Sequence, residues 1–285
     1  MVEPGGPSRK KAGRDLPVAI AVGLGLFAAV TVGLLWLPWF FALFMAAALG
    51  FGTIELHHAL TRKGMRSEVV PVCVGTVVSS VGSYAAVVGL IPLEPVTMVL
   101  ICLCLTMIAA FALRLRRGPE GFVGDAAASA LIVAYLPMLG ASVPLLMAAD
   151  DGTLRILTII ACVVASDTGA FAVGVLLGRH KMAPTISPNK TWEGFAGGIA
   201  FAALVGVLAA VYLLQIHWVI GLVLGVLLSL AGTTGDLVES LIKRDVGLKD
   251  MSNFLPGHGG VMDRLDSILI AVPVGWMIFH LTIGS

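Results

Sequence analysis

Charge is what this chain has least of. Only 12% of its 285 residues are Asp, Glu, Lys or Arg, about half the share of a soluble domain. Apolar residues reach 58% and the mean hydropathy is +0.99, which excludes a water-soluble globular protein and predicts an integral membrane protein. Cysteine is equally sparse. Cys73, Cys102, Cys104 and Cys162 all fall inside apolar runs, without the spacing of a disulfide framework or a zinc site. A cleavable signal peptide is not expected, because Arg9, Lys10, Lys11 and Arg14 precede a run long enough to span and no cleavage site follows. Internal repeats and Gly/Ser linkers are also missing, so one integrated membrane domain is expected. Its parts are a disordered basic tail over 1–16, N-terminal helices over 17–150 and a C-terminal region over 151–285.

What is present is a series of long hydrophobic runs. A helical span needs about 20 apolar residues, and nine candidates lie near 17–36, 38–56, 69–90, 95–113, 123–148, 154–178, 195–214, 217–235 and 265–283. The fold class expected is all-α, a polytopic transmembrane bundle. Trp36-Leu37-Pro38-Trp39 separates the first two spans and fits a tight interfacial turn. With a cytoplasmic N-terminus, 17 of the 18 Lys and Arg residues fall in the inner segments 1–16, 57–68, 114–122, 179–194 and 236–264. Arg155 alone lies on the other side. That asymmetry is the positive-inside pattern. The outer loops, near 91–94, 149–153 and 215–216, are too short to hold a domain, so polar chemistry is expected at the cytoplasmic face. The basic tail suits anionic lipid headgroups.

Four polar constellations crowd the C-terminal half. Ser166-Asp167-Thr168-Gly169 interrupts an apolar span. A carboxylate there either satisfies neighbouring hydroxyls or lines a hydrated cavity and helps hold a cation. The segment SPNKTWEG, residues 187–194, places Thr191 as an N-cap, with Glu193 and Gly194 opening a helix. With Lys190 beside it, such a start is also an anion site. Trp192 either stacks on a base or sits at the membrane interface. Next, Asp236, Glu239 and Ser240 share one helical face, an arrangement that suits magnesium, which takes one or two carboxylates plus water and substrate phosphates.

The fourth and densest constellation is SLIKRDVGLKDMSNFLPGHGGVMDRLD, residues 240–266. It sets Lys243, Arg244, Lys249 and Arg264 among Asp245, Asp250, Asp263 and Asp266, around the turn His258-Gly259-Gly260. Basic side chains suit phosphate, carboxylates suit a divalent ion, and glycines allow close backbone approach. His258 either acts as a general base or orients the turn. A metal-assisted phosphoryl or nucleotidyl site on a phosphorylated lipid is the chemistry these residues point to.

These residues resemble the motif of the phosphatidate cytidylyltransferases (CDP-diacylglycerol synthases), S-x-I-K-R-x4-K-D-x-S-x2-L-P-x-H-G-G-V-x-D-R-L-D, in full. The upstream SPNKTWEG and GDLVES segments are similar to the same family, in the same order. The resemblance is specific over about 160–270 and general, as hydrophobic spans, over 1–150. It implies condensation of CTP with phosphatidic acid to CDP-diacylglycerol and pyrophosphate, for phospholipid biosynthesis, with magnesium required and room for a second metal or a monovalent cation. By position, Asp236 and Asp263 are the implied main metal ligands, with Asp167 and Asp266 near the ions. Lys190, Lys243, Arg244 and Arg264 are implied to neutralise the phosphates, and His258 and Lys249 complete the candidate catalytic set. Ser187, Asn189, Lys190, Thr191, Glu193, Gly259 and Gly260 are the candidate nucleotide-binding residues. A homodimer in the plasma membrane is implied, with its active site facing the cytoplasm, membrane lipids around it and no nucleic-acid partner. Two other readings remain: a CTP-dependent polyprenol or lipid kinase, and a cation transporter using Asp167, Asp236 and Asp263 as its ion path.

Overall fold

The computed structural model describes residues 16–257 and 259–284. The basic tail and His258 therefore lie outside the described residues. The chain is a polytopic helical membrane protein. Its long helices are α1 (Leu16–Trp36), α2 (Pro38–Thr61), α3 (Val69–Val87), α4 (Pro95–Arg114), α5 (Phe122–Tyr135), α8 (Gly152–Leu177), α9 (Trp192–Leu208), α10 (Trp218–Asp245) and α11 (Met262–Thr282). Two short helices, α6 (Pro137–Gly140) and α7 (Ser142–Leu146), continue α5. Among the described residues eight helical segments are long and apolar enough to cross a membrane, and Ile20–Trp36 of α1 is a shorter ninth apolar helix.

Three departures from the hydropathy reading have plain physical causes. The fifth span is not one rod: Pro137 cannot donate to the helix ladder and clashes with the preceding turn, so α5 ends at Tyr135 and the chain steps through α6 and α7. A two-stranded antiparallel hairpin, β1 (Lys181–Ala183) and β2 (Ser187–Thr191), stands between α8 and α9. It is too short and polar to register in an apolar count. Finally, α10 runs ten residues beyond the apolar boundary expected at 235 and α11 starts three residues before 265, so both carry charged turns.

Packing in the C-terminal half relies on close backbone approach, as expected where lipid removes the hydrophobic drive between helices. A Cβ at Gly206 of α9 would stand 2.2 Å from the Gly221 carbonyl of α10, and one at Gly225 would stand 2.3 Å from the Ala202 carbonyl. Two apolar clusters form the core. One gathers Leu49, Leu56, Ile132, Leu136, Met262 and Leu269; the other gathers Phe41, Ile159, Cys162, Leu224, Leu228 and Phe279. Because α11 contributes to both, it joins the N-terminal helices to α8 and α10.

The basic connections converge on one end of the bundle, and their contacts show it. Lys63, after α2, pairs with Asp245 at the end of α10 at 2.9 Å. Arg117, after α4, meets Glu68 at the start of α3. Asp125 of α5 accepts from the Arg66 amide at 2.5 Å and from Arg114 Nε at 2.7 Å. Arg244 donates from Nε to the Ile186 carbonyl in the hairpin at 3.2 Å. One charged platform thus caps a long apolar body.

Candidate functional site

The last three turns of α10 are the spine of the site. Positions i, i+3, i+4 and i+7 share a helical face, and Asp236, Glu239, Ser240 and Lys243 occupy them. Ser240 Oγ lies 3.2 Å from Asp236 Oδ1 as donor to acceptor, and Lys243 Nζ stands 2.5 Å from Glu239 Oε2. Two charge clusters grow from this face in different directions.

The first opens to a cavity of about 310 Å³. Lys190 Nζ reaches Asp236 Oδ2 at 2.6 Å, and Asp167 of α8, Asn189, Thr191 and Thr233 line the same space. The hairpin is what delivers Lys190. Its far end is tied to α10 by Arg244, as above. Its near end is held by Glu193, whose carboxylate accepts from the Arg179 amide at 3.0 Å and from the His180 amide at 3.2 Å, with His180 Nδ1 at 2.5 Å. Thr191 caps α9 as the sequence predicts, accepting from the Gly194 amide at 3.1 Å. Ser187 lies in β2, paired in register with Ala183, and does not line that cavity.

The second cluster is closed. Lys243 Nζ bridges Glu239 and Asp263, whose Oδ1 is 2.8 Å away. Asp263 Oδ2 accepts from the backbone amides of Met251 at 2.9 Å and Gly260 at 2.7 Å. One carboxylate therefore both partners Lys243 and folds the 251–260 loop over the start of α11. A second carboxylate, missed in the sequence, completes that loop. Glu55 of α2 is 7% exposed and accepts from Ser252 Oγ at 2.6 Å and from the amides of Val261 at 3.0 Å and Met262 at 2.8 Å. It thereby satisfies free N–H groups at the α11 N-terminus. The paired glycines follow from these two acids. Gly259 has φ +80°, and its Cβ would lie 2.8 Å from Asp263 Oδ2; a Cβ at Gly260 would lie 2.7 Å from Glu55 Oε1. The signal for Glu55 was available: an ionisable group inside a span asks for a partner, and the predicted span 38–56 contains it.

Asp266 sits between the clusters. Its Oδ1 accepts from the Ser267 amide at 2.7 Å, and a Cβ on Gly235 would meet its carbonyl at 2.2 Å, so α10 and α11 touch beside Asp236. Arg264 is exposed and lines a separate polar cavity of about 330 Å³ with Asp250, Asn253 and Gly259. Lys249 is exposed and has no ion pair among the described residues. The structure does not bring it to either cluster.

The acids of the two clusters are the donors available to a divalent ion. Among the described residues no three Asp, Glu, His or Cys side chains form a ready metal cage. Magnesium does not need one, since it keeps water and substrate phosphates in its shell. The oxygens on offer are all hard donors, and Glu239 is 0% exposed, with Oε2 held by Lys243 and Oε1 without a hydrogen-bond partner. The Tyr135 hydroxyl is likewise buried and unpartnered. Glu239 Oε1 and the Tyr135 hydroxyl, unpartnered beside Asp236 and Asp266, leave room for a cation, and magnesium's mixed shell of carboxylate, water and phosphate suits that place.

Comparison with known proteins gives the family. The model described as "Cytidylyltransferase family" matches residues 17–282. A protein of Mycobacterium leprae (strain TN) named phosphatidate cytidylyltransferase is 36% identical over 282 residues, covering 95% of this chain and 89% of that protein. One of the same name from Mycobacterium bovis is 35% identical over 285 residues, covering 95% and 90%. A third, from Staphylococcus aureus (strain COL), is 46% identical over 127 residues, which is 44% of this chain and 48% of that protein. With a match that runs nearly end to end and a polar site built on the residues of the motif, the chain belongs to the cytidylyltransferase family.

Proposed function

We propose that this protein transfers the cytidylyl group of CTP to phosphatidic acid, giving CDP-diacylglycerol and pyrophosphate for phospholipid biosynthesis. The observation that carries the reading is the Lys190–Asp236 pair facing one cavity with Asp167 and Asn189, in a chain similar over 95% of its length to a protein named for that activity.

The chemistry asks little of a base. A phosphate oxygen of phosphatidate attacks the α-phosphorus of CTP, the bond from that phosphorus to the bridging oxygen breaks, and pyrophosphate leaves. The phosphate monoester is already a nucleophile at neutral pH, so the work is alignment of two anions and stabilisation of the departing charge. Lys190 and Arg244, joined through the hairpin, bind the triphosphate beside the α9 N-terminus, where Thr191 and Asn189 border the cavity. Lys243, held by Glu239 and Asp263, is fixed at the junction of the two substrates. Arg264, free of any ion pair among the described residues, takes the lipid phosphate. Glu55 and Asp263 hold the loop that places Arg264.

Asp236 and Asp263, with Asp167 and Asp266 nearby, are the residues that would hold magnesium, and a second metal or a monovalent cation fits the same acids. When bound, the ion neutralises phosphate oxygens and stabilises the leaving group. The basic end of the bundle is the cytoplasmic one under the positive-inside rule, where CTP is available. A homodimer in the plasma membrane is the assembly we propose.

The test uses purified protein in detergent with CTP labelled in the α-phosphate, magnesium and phosphatidic acid. Label should appear in CDP-diacylglycerol and pyrophosphate should be released, with both lost on chelation of the metal. Release of CDP with a newly phosphorylated lipid would instead make the enzyme a kinase.

A further inference from the structure

Beside the polar cavity of Arg264 lies an apolar one of about 500 Å³, between α1, α2, α8 and α11. Of the described residues that line it, Arg264 alone is charged, and the others are hydrocarbon, thioether or glycine. The two cavities share Leu255 and Arg264 as lining residues, so a polar chamber and an apolar one meet at a single guanidinium. The motif loop builds part of the apolar wall itself. Phe254 stacks on Phe51 of α2 with ring centroids 4.7 Å apart, and Phe254 and Leu255 both line the space. A loop that also presents Asp250, Asn253 and Gly259 to the polar cavity has no need of that wall to bind a nucleotide.

We propose that this groove is the seat of one acyl chain of the phosphatidate substrate, with the lipid phosphate at Arg264. The proposal rests on the function argued above and divides the site: nucleotide on the Lys190–Asp236 side, lipid on the Arg264 side. A junction of one cation and one apolar slot matches a phosphate joined to a hydrocarbon tail. A free phosphate or a nucleotide has nothing to place in the slot. Moving a tail from the bilayer into the groove gains little hydrophobic free energy, because lipid is already apolar. The slot therefore acts through position. A chain held there brings its headgroup to Arg264 in the orientation needed for attack, and loss of that orientation lowers the rate steeply.

The experiment compares turnover of dioleoyl and dihexanoyl phosphatidate by the full-length enzyme in detergent. The variants are Ala48→Trp on α2 and Ile160→Trp on the opposite wall, each of which fills the slot. The ratio of long-chain to short-chain turnover should fall about tenfold or more in either variant. On the native enzyme, phosphatidate carrying a photoreactive diazirine in mid-chain should label peptides 41–51 or 156–160. That measurement stands even if neither variant folds. A ratio equal to that of the native enzyme, or label confined to α3 and α4, overturns the groove alone. Failure of the native enzyme to convert any phosphatidate overturns the acceptor reading and this proposal with it.

Discussion

Two charge clusters stand on the same helix within two turns of each other, and they differ in one respect. At Lys190–Asp236 both partners are part exposed, at 23% and 34% of their side-chain surface, and the pair faces a cavity. At Lys243–Asp263 the figures are 13% and 5%, and the carboxylate is also taken by two backbone amides. An exposed pair is worth about 0–1 kcal/mol, so it gives way readily to a stronger partner such as a triphosphate or an ion. A buried acid with several donors also holds its surroundings in place. Asp236 on α10 can thus exchange its partner, whereas Asp263 on α11 fixes the motif loop as well.

That contrast can be broken or sharpened. The largest effect is expected for Asp236→Asn, which should abolish turnover while changing stability by no more than about 1 kcal/mol, measured as thermal melting in detergent. Asp263→Asn should also abolish turnover, but with a loss of about 1–3 kcal/mol, because its amide nitrogen would face a donor on either side, the Lys243 ammonium or the Met251 and Gly260 amides. Equal melting temperatures for the two variants would erase the distinction. Next in size is Glu55→Gln, for which kcat should fall about 10- to 100-fold, the usual effect of losing a group that orients a site. Normal kcat at saturating CTP and phosphatidate would remove Glu55 from that role. Lys190→Ala should raise the KM for CTP about tenfold, through loss of one charge-assisted contact, with less effect on phosphatidate. Smallest is Lys249→Ala, whose exposed side chain should leave both KM values within about twofold; a larger shift would place it at the site after all.

Much of this was legible in the chain. The helices appear where the apolar runs lie, and the turn at Leu37 falls where its flanking tryptophans and Pro38 put it. Thr191 caps α9 as its position before Glu193 and Gly194 implies. Contacts are harder to read than composition. The hairpin was invisible because three- and five-residue strands leave no periodic signal, and its placement depends on Arg244 and Glu193, which bond to backbone atoms rather than to a recognisable partner. Glu55 went unseen because its three donors lie about 200 residues away in sequence. The paired glycines read as allowing close backbone approach, and in the fold Gly260 donates its amide to Asp263.

The residue order alone determined that this is a membrane protein, where its helices run and which short segment gathers its charged residues. Hydropathy and spacing are local properties, and a bilayer imposes them helix by helix. Only the tertiary structure decided which acid opens to a cavity and which is sealed, that α2 anchors the motif loop, and that Arg264 stands between a polar and an apolar chamber. Each of those depends on groups brought together from distant turns, a distance that no local pattern records.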